Sequence, residues 1–209
     1  MTDGVAAFLA QTLAISLSGV LAPGPMTAVT LQLGGRSRHA GALIAIGHGV
    51  VELPLMGLIM LGIGELLQAQ AFQVGVSLAG GLALLAMGAM LLRSLRGVQG
   101  ASDSATPRRG AAVLSGIIMT AGNPYFLVWW ATVGLALCTQ AAAWGVAVFA
   151  MFALTHWLCD LAWLEALSQC SFRGVALLGP RAWKAVTILC AVTMAGFGAW
   201  YLWQGSARL

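Results

Sequence analysis

His48 and Glu52 stand four residues apart, and so do His156 and Asp160. Four residues is about one helical turn, so within helices each pair would share a face. The chain has only three histidines and six acidic residues, which makes the repeated spacing hard to ascribe to chance. Imidazole beside carboxylate supports two kinds of chemistry. It can hold and release a proton near physiological pH, where histidine titrates. It can also offer nitrogen and oxygen donors to a divalent metal ion. A plainer role is two hydrogen-bonded pairs that only pin a helix bundle. The third histidine, His39, adjoins Arg38 and reads as solvated.

A second pair of features could bind rather than react. Ala22-Pro23-Gly24-Pro25 interrupts an otherwise apolar run, and Ala121-Gly122-Asn123-Pro124 interrupts another. Proline has no N–H, so Pro25 and Pro23 would leave the carbonyls of Leu21 and Gly19 without their helical donors. Beyond each break, Gly24 or Asn123 can cap a new helix and Pro25 or Pro124 can start it. The next amides, of Met26 and Thr27 or of Tyr125 and Phe126, would then lack partners. Such positive helix ends suit a carboxylate, and the stranded carbonyls suit an ammonium group. The candidate substrate-binding residues are thus Pro23, Gly24, Pro25, Met26, Thr27, Asn123, Pro124 and Tyr125. The structural alternative is a pair of proline kinks.

The elements that must position these groups follow from composition. Of 209 residues, 60% are hydrophobic, against ten basic and six acidic ones. A water-soluble domain of this size leaves roughly a third of its chain's area exposed, so lipid must take the remainder. The expected fold class is an all-α integral membrane protein. Six runs, near 5–34, 40–64, 70–92, 111–138, 141–168 and 182–204, are long enough for a core that needs about 20 apolar residues. Barrel strands would alternate apolar and polar, and these runs do not. No base precedes the first run, which is also longer than a signal's apolar region, so it is expected to be retained.

Arg36, Arg38, Arg93, Arg96, Arg108, Arg109, Arg173, Arg181 and Lys184 all fall on one side of this arrangement. The positive-inside rule makes that side cytoplasmic and both termini external. The same bias accounts for the net charge of +4, so no nucleic-acid partner is implied. Residues 93–110 form the one long polar stretch and read as a cytoplasmic linker between 1–92 and 111–209. Three spans per half would insert the halves with opposite orientation, as a 3+3 inverted repeat with helices 1 and 4 broken. Both breaks would then lie roughly 15–18 Å deep, near mid-bilayer, where irregular backbone is tolerated only against protein or a cavity.

Other signals are weaker. Cys138, Cys159, Cys170 and Cys190 have no paired spacing and read as small packing residues. Trp144 and Trp200-Tyr201-Leu202-Trp203 are expected to anchor the outer interface, and Trp183 the inner one. Ala79, Gly81, Ala83 and Gly88 suggest close packing in the third span, within the bundle or across a homodimer. No cofactor is expected, and with no nucleotide-binding loop ATP is not the expected energy source.

Pro23-Gly24-Pro25 in the first span, Asn123-Pro124 in the fourth, the six spans and the length together resemble the LysE/RhtB family of amino-acid exporters. Asp160-Leu161-Ala162-Trp163 is similar to an acid-plus-Trp stretch in many members' fifth span. The chain departs from the pattern at Tyr125, where members often carry Lys. The resemblance implies export of amino acids or similar small zwitterions from the bacterial cytoplasm across the inner membrane, driven by protons. On the chemistry of the paired residues, and not on a family motif, His48, Glu52, His156 and Asp160 would serve the coupling, with Asp160 carrying the proton and His156 as its partner. The same four residues leave a divalent-metal exporter as the alternative and an intramembrane metal-dependent enzyme as a more distant one. Metal export would leave the carboxylate-binding helix ends idle, and an enzyme would not account for two matched breaks.

Overall fold

The computed structural model describes residues 2–97 and 109–209, and among these there are helices and turns but no strand. Helix α1 (Thr2–Val20) is followed by α2 (Pro25–Gly34). The two are inclined by 77° across the Pro-Gly-Pro segment. Helix α3 (Ala40–Leu58) widens into a π-helical turn at Ile59–Ile63 and continues as α4 (Gly64–Gln68). Helix α5 covers Gln70–Gly97 and α6 covers Arg109–Ala121. After Gly122 and Asn123 the chain resumes as α7 (Pro124–Trp129), a second π-helical turn (Trp130–Gly134) and α8 (Leu135–Ala143). The helical stretch α9 (Val146–Ser206) carries two apolar spans, Val146–Gly174 and Lys184–Ser206. A straight helix of that length would reach roughly 90 Å. Leu164 and Met194 nevertheless line one cavity, so the chain folds back between the two spans.

Five stretches are long and apolar enough to cross a membrane, or six if the bent α1–α2 pair forms one span. The distribution of polarity fits lipid on the outside. Leu82, Met90, Leu154, Leu189 and Val192 are exposed, whereas Thr12, Ser16, Glu52, Thr120, His156 and Asp160 are buried. Of the expected linker, residues 98–108 lie outside those described, as do the side chains of Arg96 and Trp183.

Glycines set how closely the helices cross. A methyl on Gly47 would run into the Val113 carbonyl of α6, and one on Gly116 of α6 into the Ile44 carbonyl of α3. On another side of α3, Gly41 meets Leu164, and Gly49 admits Trp157, whose indole N–H donates to the Ala45 carbonyl at 3.0 Å. His48 thus sits on a backbone clamped from two directions. In the third span, Gly81 and Gly88 face Gly198 and Ala191 of the last one, so these small residues pack within the bundle.

Three expectations change. The fifth span starts at Val146 rather than near 141, because Gly145 turns the chain with φ +97°. Tyr201 is buried beside Leu84 and Met194 while Trp200 and Trp203 are exposed; helical periodicity turns the Tyr inward. His39 is exposed but paired, its Nδ1 lying 2.6 Å from Glu165 Oε1. Glu165 Oε2 also accepts the Ala42 N–H at 3.1 Å, in the first turn of α3. Sequence distance hid this partner, 126 residues away.

Candidate functional site

One cavity, of about 100 Å³, gathers most of the residues singled out above. Pro23, Gly24, Pro25, Met26 and Thr27 line it from the first break, and Asn123 and Tyr125 from the second. His48 and Glu52 come from α3, and His156 and Asp160 from α9. The side chain of Pro124 lies outside the described residues. Leu84, Met194 and Phe197 close the cavity with an apolar wall.

The four ionisable residues form one connected cluster rather than two separate pairs. Glu52, 1% exposed, places Oε1 at 2.9 Å from His48 Nε2 and 3.2 Å from His156 Nε2. Asp160 Oδ1 lies 3.7 Å from the first imidazole, and Oδ2 lies 3.8 Å from the second. Neither Glu52 Oε2 nor Asp160 Oδ2 has a hydrogen-bond partner among the described residues.

Two hydroxyls orient the rings from behind. His48 Nδ1 is 2.8 Å from Thr120 Oγ1, and His156 Nδ1 is 2.7 Å from Ser16 Oγ. They constrain the protons differently. Thr120 donates its own hydrogen to the Gly116 carbonyl at 2.7 Å, so toward His48 it can only accept. His48 therefore carries hydrogen on Nδ1, and its contact with Glu52 holds one further proton, on either the imidazole or the carboxyl. No other described hydrogen bond engages the Ser16 hydroxyl, so it can donate to His156 or accept from it. His156 can change tautomer or charge without breaking that bond.

Aromatic rings from the segment after the second break hold the histidines in place. Trp129 stacks on His156 with centroids 5.1 Å apart, and Trp130 meets the same ring edge-on at 5.2 Å. Phe126 meets His48 edge-on at 5.4 Å. Trp129 reaches this position because Gly19 has no side chain; a Cβ there would stand 2.9 Å from its indole nitrogen. Ser16, Thr120, Trp129 and Trp130 were not singled out from sequence, and Phe126 only for its backbone amide. The signal available for the hydroxyls was a small polar residue inside an apolar span.

The two breaks differ locally. Gly24 precedes α2 in an extended conformation with no side-chain cap, and no described hydrogen bond reaches the amides of Met26 and Thr27. At the second break Asn123 Oδ1 accepts the Tyr125 N–H at 3.1 Å, so that amide is taken. The freed carbonyls are also partly satisfied: Gly19 accepts the Ala22 N–H at 3.2 Å, and Ala22 accepts the Thr27 hydroxyl at 3.4 Å.

One reaction-capable atom set also suits a metal ion. A nitrogen of His48 and one oxygen each of Glu52 and Asp160 lie within 4.8 Å of one another. The donor types are those of a mixed imidazole and carboxylate site. The 2.9 Å His48–Glu52 separation is nevertheless a hydrogen-bond length. It is shorter than the roughly 3.3 Å between two ligands on one tetrahedral zinc, given bonds of about 2.0 Å.

Neither the curated proteins nor the solved structures include a match to the chain. An apolar multi-span bundle that encloses a polar, carboxylate-bearing cavity has the build of a carrier. The LysE type translocator model matches residues 17–205, from before the first break to the end of the last span. This multi-pass membrane chain belongs to the LysE type translocator family, a family of transporters rather than enzymes.

Proposed function

We propose that this chain is a secondary active exporter of amino acids or related small zwitterions, driven by protons that enter as substrate leaves. One observation carries the reading: Glu52 Oε1 lies between the Nε2 atoms of His48 and His156, on the wall of the cavity beside the first helix break. The unpartnered amides of Met26 and Thr27 begin a ten-residue helix and suit the substrate carboxylate. Asp160 Oδ2, buried and without a hydrogen-bond partner, suits its ammonium.

Coupling follows from spacing. Asp160 stands within 4 Å of both imidazoles, so a substrate ammonium there and an extra proton on His156 repel each other strongly in this buried setting. Substrate binding expels the proton, and its departure lets the proton return. An antiporter requires that exclusion. Sequence alone points to Asp160 as the proton carrier; the bridging position of Glu52 favours the His48–Glu52–His156 chain instead, with Asp160 as the shared counter-ion.

We also read the fold as two repeats, 1–92 and 111–209, inserted with opposite orientation and joined by the cytoplasmic linker 93–110. His48 of the second span bonds Thr120 of the fourth, and His156 of the fifth bonds Ser16 of the first. Exchanging the halves turns one bond into the other, which supports the repeat. The family resemblance implies a bacterial inner membrane, and the bias of basic residues favours both termini outside. A reporter that works only outside the cytoplasm should be active when fused after Leu209, and activity of a cytoplasmic reporter there would refute the orientation.

Metal export is the second reading, favoured by the His48, Glu52 and Asp160 atoms near one point. Proteoliposomes preloaded with labelled amino acids or with zinc, cadmium or manganese separate the two. Under an imposed pH gradient, amino-acid efflux without metal efflux is expected; metal efflux alone would overturn the proposal.

A further inference from the structure

Resting on the exporter reading, the chemistry of the cavity walls narrows the cargo. We infer that the substrate is an α-amino acid with an uncharged, apolar side chain of about valine or leucine size, and that Leu84, Met194 and Phe197 select that side chain.

The charge inventory carries the first half. No Lys or Arg lines the cavity. The amides of Met26 and Thr27 can meet one carboxylate; at the second break Asn123 takes the Tyr125 amide, which leaves the single Phe126 amide there and no matching pair for another carboxylate. A second carboxylate, as in an acidic amino acid, would therefore be buried without a cation. Glu52 Oε1 is held at 2.9 and 3.2 Å by two imidazoles, whereas Asp160 stands 3.7 and 3.8 Å from them, which makes Asp160 the carboxylate freer to meet an ammonium group. The second positive group of a basic amino acid would face the apolar wall. Burying an unpaired charge is strongly unfavourable.

Geometry carries the second half. The ionisable cluster stands on α3 and the first part of α9, while Leu84 of α5 and Met194 and Phe197 of the last span provide the apolar wall. Met194 and Leu84 are packed into a buried cluster with Tyr201, and Phe197 lies against Tyr125 with centroids 5.9 Å apart, so this wall is firm. The cavity is small, about 100 Å³, which suits a short aliphatic side chain better than a long or aromatic one.

The test is competitive efflux from one set of proteoliposomes loaded with equal valine, leucine, phenylalanine, glutamate and lysine. Valine and leucine should leave at least about tenfold faster than glutamate or lysine, the discrimination expected when a buried charge is left unpaired. Phe197→Ala, which enlarges the wall without touching the ionisable cluster, should raise the phenylalanine-to-valine ratio by about tenfold. That ratio does not depend on how much protein is folded. Glutamate or lysine leaving as fast as valine, or an unchanged ratio in Phe197→Ala, would overturn the inference while leaving the exporter reading standing. Efflux of none of the five would overturn both.

Discussion

Replacing Glu52 by Gln keeps the size of the side chain and removes its charge and its ability to hold a proton. The structure sets the cost. Glu52 Oε1 faces two imidazole nitrogens, at 2.9 and 3.2 Å, in a fully buried setting. A hydrogen bond to a charged group contributes about 1.5–3 kcal/mol and a neutral one about 0.5–1.5 kcal/mol. Two bonds weakened by that difference amount to about 2–3 kcal/mol. Glu52→Ala removes the acceptor altogether and leaves two buried rings unpaired, which costs about 3–5 kcal/mol. Unfolding by denaturant in micelles should therefore rank wild type above Glu52→Gln and Glu52→Ala below both. The functional signature is sharper. Glu52→Gln should still exchange internal for external substrate, because Met26, Thr27 and Asp160 are intact. It should lose uphill export under a pH gradient by about a hundredfold or more, the scale of a lost proton-transfer group. Wild-type uphill export by Glu52→Gln, or equal stability of the Gln and Ala variants, would refute the reasoning.

Asp160→Asn removes the counter-ion offered to the substrate ammonium, so substrate affinity should fall at least about tenfold, measured as the half-saturating concentration for exchange; unchanged affinity would place the ammonium elsewhere. Gly24→Ala should fold normally, since its backbone is extended and nothing lies within 4 Å of the added methyl. The methyl would occupy cavity volume, however, and slow valine efflux by about tenfold. Gly116→Ala should do the reverse: its methyl meets the Ile44 carbonyl, so stability should drop by about 1–3 kcal/mol in denaturant unfolding. The residual folded protein should also export poorly, because moving α3 from α6 takes His48 out of reach of Thr120.

Much of the site was legible because it violates the habits of apolar spans. Proline and glycine in the middle of a hydrophobic run, and acids with histidines inside it, have few innocuous explanations in lipid. The four-residue spacings showed that His48 would face with Glu52 and His156 with Asp160. What spacing could not supply was the cross-linking of the pairs. That Glu52 serves both imidazoles depends on how α3 and α9 cross, which is set by Gly41 and Gly49 against Leu164 and Trp157. The hydroxyls of Ser16 and Thr120 were hidden for the same reason, since serine and threonine in a span usually satisfy their own backbone. Trp129 and Trp130 were read past because tryptophan is common in membrane proteins, and only Gly19 betrays the close approach of one of them. Tyr201 misled because Trp-Tyr-Leu-Trp looks like an interfacial belt until the helical period separates its faces. His39 misled because its acid, Glu165, belongs to another span.

Simultaneous recording of substrate and proton movement tests the central claim most directly. Proteoliposomes containing the chain, preloaded with labelled valine and an internal pH-sensitive dye, would be followed after a pH gradient is imposed, acid outside. Valine exit should be accompanied by proton entry in fixed proportion, and both should collapse together in Glu52→Gln. Valine leaving at full rate with no proton entry beyond the leak of empty vesicles would contradict the account.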